Sequence, residues 1–405
     1  MASHALPYTP KIFAKKNKIV LRVIGTHVTL QEVIRKQAMK DLGIHIVFEP
    51  AGSASVLQKA AADPSSFDVY EQWSDSINIL WQAKAIQPLE IEKIQKWKDI
   101  NPLTKIGKVT PEAQYGAGDA PYKILYVQKD KSLGSKPTPY ISFMPYVHNV
   151  DSFGYNTDHI AKGEAYKTES WAWLLDDKHR GKVGLVNAPT IGIFDMALAA
   201  QAANLMKFND IGNMTTTEID QLFDILNEKK QKGHFSGFWN SVPQSVNFMV
   251  KKRVYIQSMF SPGVSEAKGK GIPVTYASPK EGFRAWHGVM CLSSKTEGHT
   301  KDAAYEYMNW WLSGWPGAFI ARQGYYISNP EQSQPLLPAE EWDFWYKGAE
   351  AKKDLKGPDG KITIYQGQKR DGGSYFKRFN HIAVWNTVMN NYDYSLDKWY
   401  NFLNY

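Results

Sequence analysis

Ile19–Ile24 (IVLRVI), Thr29–Glu32 (TLQE), Gly43 and Ile44–Phe48 (IHIVF) follow one another near the start of the chain and decide its class. The first is a short apolar run and reads as a buried strand. Thr29 with Glu32 three residues on has the spacing of a capping box and predicts a helix opening there. Leu30, Val33, Ile34 and Ala38 mark its apolar face. Gly43 stops it at a left-handed position, and Ile44–Phe48 is the next strand. The unit then repeats, with a helix over Ser55–Ala62 ended by Pro64, a strand at Phe67–Tyr70 and a helix over Ser76–Lys84. Strand–helix alternation with short links means a parallel sheet with helices on its faces.

Working outward, residues 101–140 are rich in Gly and Pro, apart from a strand-like Lys123–Val127, and are expected to form an irregular surface excursion. The α/β pattern restarts at Gly154. Strands are predicted at Val183–Val186, Val254–Met259, Val274–Ala277 and Ala285–Leu292. Helices are predicted at Phe194–Met206, Lys301–Leu312 and Glu218–Lys230, the last capped at Thr217 and stopped at Gly233. Two such α/β lobes facing one another make a cleft, because open sheets bind ligands at the carboxyl ends of their strands.

The chain has 405 residues, 43% apolar and 22% charged, which excludes a disordered, fibrous or disulfide-scaffold protein. No apolar run has the length of a membrane-spanning helix. The net charge is +8, but the densest basic clusters, Lys15–Lys18, Lys229–Lys232 and Lys251–Arg253, are short and far apart, so no nucleic-acid stripe is expected. The single cysteine, Cys291, excludes a disulfide and any Cys-rich metal or redox centre. There is no GxxxxGK[ST] loop, HExxH or GxSxG, and Gly116-Ala117-Gly118 lacks the later glycine of a dinucleotide fingerprint. Asp371-Gly372-Gly373 reads as a turn. No catalysis, no metal and no cofactor are expected. The 14 Trp, 22 Tyr and 18 Phe are mostly core, yet they also suit a pocket walled with rings.

Several stretches, in order, resemble the periplasmic solute-binding proteins of ABC importers, specifically the spermidine/putrescine-binding family. They are Ser66–Tyr70, Pro145-Tyr146 with Phe153–Asn156, Ser170–Leu175, Arg180–Val183, Pro279–Gly282 before Trp286, Arg322–Tyr325 and Ile382–Asn386. The resemblance implies a two-lobed periplasmic-binding-protein fold of type II, each lobe a mostly parallel sheet flanked by helices, joined by hinge crossover strands. It places lobe one at 17–147 with 287–327 returning to it, and lobe two at 149–286 with 328–405 returning to it. It also implies an ABC permease in the inner membrane as partner, a monomer, and a periplasmic location with the leader already removed.

Carried over position by position, the resemblance nominates Trp73, Trp286, Phe260 and Tyr325 as ring contacts. The family's acid beyond the hinge tryptophan falls on Gly288, and the loop Asn187–Gly192 carries none of the family's acids. A primary ammonium needs acceptors, whereas a methylated onium is held by ring faces alone. Rings without acids therefore point to a small methylated zwitterion, a betaine or dimethylsulfoniopropionate, in an aromatic cage. Thr26, His27, Asn149, Arg284 and His287 are then the candidates for its anionic end. His287 alternates with Trp286 and should face the opposite side. Glu71 and Asp75, which flank Trp73, keep a polyamine as the alternative.

Overall fold

The computed structural model describes residues 19–404; Met1–Lys18, including the first basic cluster and the expected start of lobe one at 17, and Tyr405 lie outside the described residues. Eight strands form the path of one mixed sheet. Their order is Phe235–Trp239, Val183–Val186, Ile256–Met259, Met144–Asn156, Phe283–Ser293, Val69–Trp73, Val20–Gly25 and His45–Pro50. At each end the strands run parallel: Val20–Gly25 lies between His45–Pro50 and Val69–Trp73, and Val183–Val186 between Phe235–Trp239 and Ile256–Met259. The two long central strands run antiparallel to one another, with Arg284 opposite Asp151 and Trp286 opposite Asn149. Each also pairs antiparallel with one flank, Met290 opposite Glu71 on one side and Met259 opposite Ser152 on the other. The architecture is the α/β periplasmic-binding-protein fold, with the expected parallel strands joined through an antiparallel pair.

The central strand Met144–Asn156 is buried along all thirteen residues. It lacks the alternation that marks a half-exposed strand, and it contains Pro145 and Gly154, both of which read against a strand interior. Gly154 is needed there, because a Cβ would lie 2.5 Å from the Met259 sulfur.

Two helix starts differ from expectation. The first helix is Glu32–Leu42 with Gln31 as its N-cap, and no side chain caps it. Thr29 instead hydrogen-bonds the Tyr146 hydroxyl at 2.9 Å across the sheet, so a tertiary contact takes the hydroxyl that the box would have used. Gly43 does close this helix, at φ 66°. The helix Thr216–Gln231 is capped by Thr215, not Thr217: the Thr215 hydroxyl accepts from the Glu218 N–H while the Glu218 carboxylate accepts from the Thr215 N–H. Thr215 has Glu218 three residues on, the acid whose length suits the reciprocal box, whereas Thr217 is followed at that spacing by the shorter Asp220.

The apolar interior falls into separate clusters. One joins Leu21–Val147 with Trp286–Ile327, and another joins Phe153–Ala277 with Val384–Phe402. A third packs Leu103, Val109 and Ala120 against Phe283, Trp345 and Trp385. Residues 101–140 thus differ from the expected surface excursion. Ala117 bridges the strand Ile382–Trp385, and Tyr126–Val127, Leu133–Gly134 and Tyr140–Ile141 form a small sheet with Leu89–Glu90. No helix among the described residues is long and apolar enough to cross a membrane.

Candidate functional site

The carboxyl ends of the parallel strands meet in one cleft of about 740 Å³. From one side come Thr26 and His27, in the turn after Val20–Gly25, and Trp73, the last residue of its strand. From the other come Asn187 after Val183–Val186, Trp239 and Asn240 at the end of Phe235–Trp239, and Phe260 after Ile256–Met259. Gly25 permits the first turn, since a Cβ there would lie 2.3 Å from the Glu71 carbonyl oxygen. This is the expected placement for an open α/β sheet, where loops leaving the strand ends are free to diverge.

At the base of the cleft a smaller chamber of about 20 Å³ is lined by Trp73, Trp286, Phe260, Tyr325, Asp151 and Asn386, among others. The Trp73 and Trp286 rings meet edge to face at 4.6 Å, and Trp286 meets Tyr325 at 5.4 Å and 81°. Phe260 is propped by Trp239 at 5.1 Å. All four sequence-nominated rings therefore come together, although they are separated by up to 252 positions in the chain.

Asp151 was missed by sequence reasoning. It is buried on the central strand, and its carboxylate accepts from Trp286 Nε1 at 2.7 Å, the Tyr276 hydroxyl at 3.1 Å and Asn149 Nδ2 at 3.2 Å. Its signal was present: the one carboxylate in the stretch Phe143–Tyr155, two residues beyond Asn149. The premise of an acid-free site is thereby corrected. Glu71 and Asp75 are corrected too, because neither lines the cleft or its base chamber. Glu71 is sealed in the interior, where the Tyr307 hydroxyl donates to it at 2.6 Å and the Tyr146 hydroxyl at 3.2 Å. Burial pushes its carboxyl up to about 7. Asp75 is also buried, and burial with the charge of Asp119 raises it to about 7.

The candidates for an anionic end separate. Thr26 and His27 line the cleft, but Asn149, Arg284 and His287 line neither it nor its base chamber. Arg284 is fully buried and already engaged: Nε donates to Asp195 at 2.6 Å and Nη1 to Asn386 Oδ1 at 3.0 Å. Its Nη2 lies 3.8 Å from the Asp151 carboxylate. His287 faces away from Trp286, as strand alternation requires. It stacks on His148 at 5.0 Å and bonds the Thr104 hydroxyl at 2.7 Å. Burial lowers its pKa to about 4, so the ring is neutral.

The electrostatics of the base follow from a count of buried groups. Asp151 and Asp195 share Arg284, and both acids are raised by burial, Asp195 to about 6. Beside a box of ring faces, two carboxylates share the Arg284 guanidinium, and Arg378 acts on Asp151 only from further off. A monocation satisfies both, the rings through their quadrupoles and the carboxylate directly. Gly288, where the family's acid would fall, accepts no side chain. A Cβ there would lie 2.9 Å from the Val147 carbonyl and 3.0 Å from the Tyr146 ring.

Comparison with known proteins agrees with this architecture. Residues 34–335 match the family model described as bacterial extracellular solute-binding protein. The putrescine-binding periplasmic protein PotF of Escherichia coli K12 is 23% identical over 319 residues, covering 74% of this chain and 75% of the relative. Among solved structures, a putative spermidine/putrescine ABC transporter protein from Listeria monocytogenes superposes with a TM-score of 0.67 at 14% identity, over 95% of this chain and 98% of the other. The Tp0655 (TpPotD) lipoprotein of Treponema pallidum does so with 0.65 at 10% identity, over 95% and 99%. With about three quarters of its length matched by that family model, the chain belongs to the bacterial extracellular solute-binding protein family.

Proposed function

We propose that this protein is the substrate-binding component of an ABC importer and that its cleft captures a small aliphatic amine cation of the putrescine and spermidine class. The observation that carries the reading is Asp151: a buried carboxylate at the floor of a four-ring box, where an entering cation meets an acid and ring faces together. One ammonium head enters the chamber against Asp151 and Asn386, and the alkyl chain runs out along Trp73 and Phe260. Chamber size favours a primary ammonium over a methylated onium. About 10–15 Å³ accommodates one water, and a –NH3+ group is of similar size. The chamber of about 20 Å³ matches that, whereas a trimethylated head requires the rings to part. The relatives named for putrescine and spermidine point the same way. The aromatic cage with its single acid is the feature that favours the second reading, a betaine or dimethylsulfoniopropionate.

Capture proceeds by closure of the two parallel-sheet halves about the crossing strands; the closed form then docks on the permease. No bond is made or broken. A thermal-shift screen against putrescine, spermidine, betaines, dimethylsulfoniopropionate and amino acids tests this. A ligand at 100 times its Kd stabilises the folded state by about 2.7 kcal/mol. Polyamines should raise the melting temperature; a response to methylated zwitterions alone would overturn the amine assignment in favour of the cage.

A further inference from the structure

Behind the cleft, the strand Val274–Tyr276 and the helix Ser261–Gly269 pack against the turn Arg370–Gly373 and the helix Tyr375–Phe379 around a cavity of about 30 Å³. Two guanidiniums line it. Arg370 is 8% exposed and Arg378 1%, and neither makes an ion pair with a carboxylate among the described residues. Arg370 lies over the Trp345 ring at 4.7 Å and the Tyr326 ring at 5.2 Å, and its Nη2 reaches only the Gly324 carbonyl. Arg378 lies over Phe283 at 5.1 Å and donates to the carbonyls of Asp371 and Val150. The Nε of each has no hydrogen-bond partner.

The nearby carboxylate does not neutralise them. Asp371 is committed to Lys268 at 2.6 Å and to the Tyr276 N–H at 3.0 Å. Lys369, also at the cavity, is mostly exposed and faces Glu350 at 3.7 Å. The cavity therefore carries an excess of positive charge: neither guanidinium has a carboxylate at ion-pair distance, and Asp371 and Asp151 act on them only from further off. Ring faces and carbonyls soften that cost but do not supply a countercharge, and a buried unpaired ion is strongly unfavourable. The Ser261 and Ser265 side chains complete a lining of donors. The double glycine Gly372-Gly373, each at φ 79°, makes the turn that holds Arg370 and Asp371 in place.

We infer that this cavity is a binding site for a small monovalent anion, of halide size, held between Arg370 and Arg378. About 30 Å³ suits one ion and excludes a phosphate ester or a nucleotide. The site stands apart from the solute cleft, although Tyr276 links them through its hydroxyl on Asp151.

The test uses the whole protein, exchanged into sodium gluconate and titrated with chloride or bromide at constant ionic strength, so that screening cancels. The melting temperature should rise with the logarithm of halide concentration, by about 2–3 °C at a hundredfold excess over Kd. Crystals grown in bromide should show an anomalous peak between the two guanidiniums. Arg370→Met should abolish the halide response; if that variant does not fold, the bromide crystal of the unaltered protein decides. No halide-specific rise and no bromide peak would overturn the assignment. So would stabilisation by acetate or phosphate with none by halides.

Discussion

Replacing Asp151 by Asn separates the solute site from the scaffold. In the solute-free protein the change should be tolerated. The buried base holds two acids on one guanidinium, and burial raises the Asp151 carboxyl above its ordinary range. Removing that charge leaves Asp195 and Arg284 as a neutral pair at 2.6 Å. The amide oxygen can still accept from Trp286 Nε1. The new NH2 can donate to Asn149 Oδ1, which has no partner in the native chain, once that amide turns over. The melting temperature without solute should therefore match or exceed the native one. Binding should suffer. Two unit charges 4 Å apart interact by about 4 kcal/mol at an effective dielectric of 20. Truncating one side of a buried charged contact costs about 2–5 kcal/mol, which corresponds to roughly thirtyfold to several thousandfold in Kd. Isothermal titration calorimetry with putrescine and spermidine reads the affinity, and melting without solute reads the scaffold. A Kd within about threefold of native would refute the role of Asp151. A melting temperature lowered by more than about 5 °C would show that the carboxylate holds the hinge together instead.

Trp286→Ala removes the ring shared by Trp73 and Tyr325 and leaves Asp151 without its 2.7 Å donor, so solute affinity and stability should both fall, the latter by about 3–5 kcal/mol in urea unfolding. Gly288→Asp, which restores the family's acid, should not improve binding; its Cβ would lie 2.9 Å from a carbonyl oxygen, and a loss of about 1–3 kcal/mol is expected on denaturation. Gly192→Ala drives a methyl to 2.2 Å from the Trp399 ring and should release the C-terminal helix Tyr392–Asn404, seen as faster amide exchange there. Glu71 has a folded pKa of about 7 against an ordinary 4.5, so the folded state holds a proton that the unfolded state has lost. Its contribution is present below about pH 4.5 and disappears as pH rises through 7, on the order of a few kcal/mol. Glu71→Gln should flatten that part of the stability profile, and an unchanged slope between pH 5 and 7, as read by melting, would contradict the burial argument.

Strand–helix alternation from Ile19 to Lys84, the absence of every phosphate, zinc and nucleophile motif, and the scattered family stretches were enough to read an α/β solute-binding protein from the chain. These are local signals: a period, a stop glycine, a missing spacing. The four rings of the box were also named, because each lies at or beside a strand end or on the hinge strand, where the fold rule puts ligands. The charge balance was not legible. Asp151 sits in a strand buried on both faces, whose thirteen residues give no alternation and include a proline and a glycine. Glu71 and Asp75 flank a site tryptophan in sequence, yet both are buried, Glu71 among the Tyr307 and Tyr146 hydroxyls and Asp75 in the turn that follows the strand. Arg284 is an apparent anion receptor until Asp195, from a helix 89 positions earlier, is seen to occupy it. The sequence by itself determined the strand–helix order and named the four rings that meet at the base chamber, though not Trp239 at the cleft. Only the tertiary structure decided which carboxylates stand at its floor, because the net charge of a buried site depends on partners that meet only when distant strands and helices pack together.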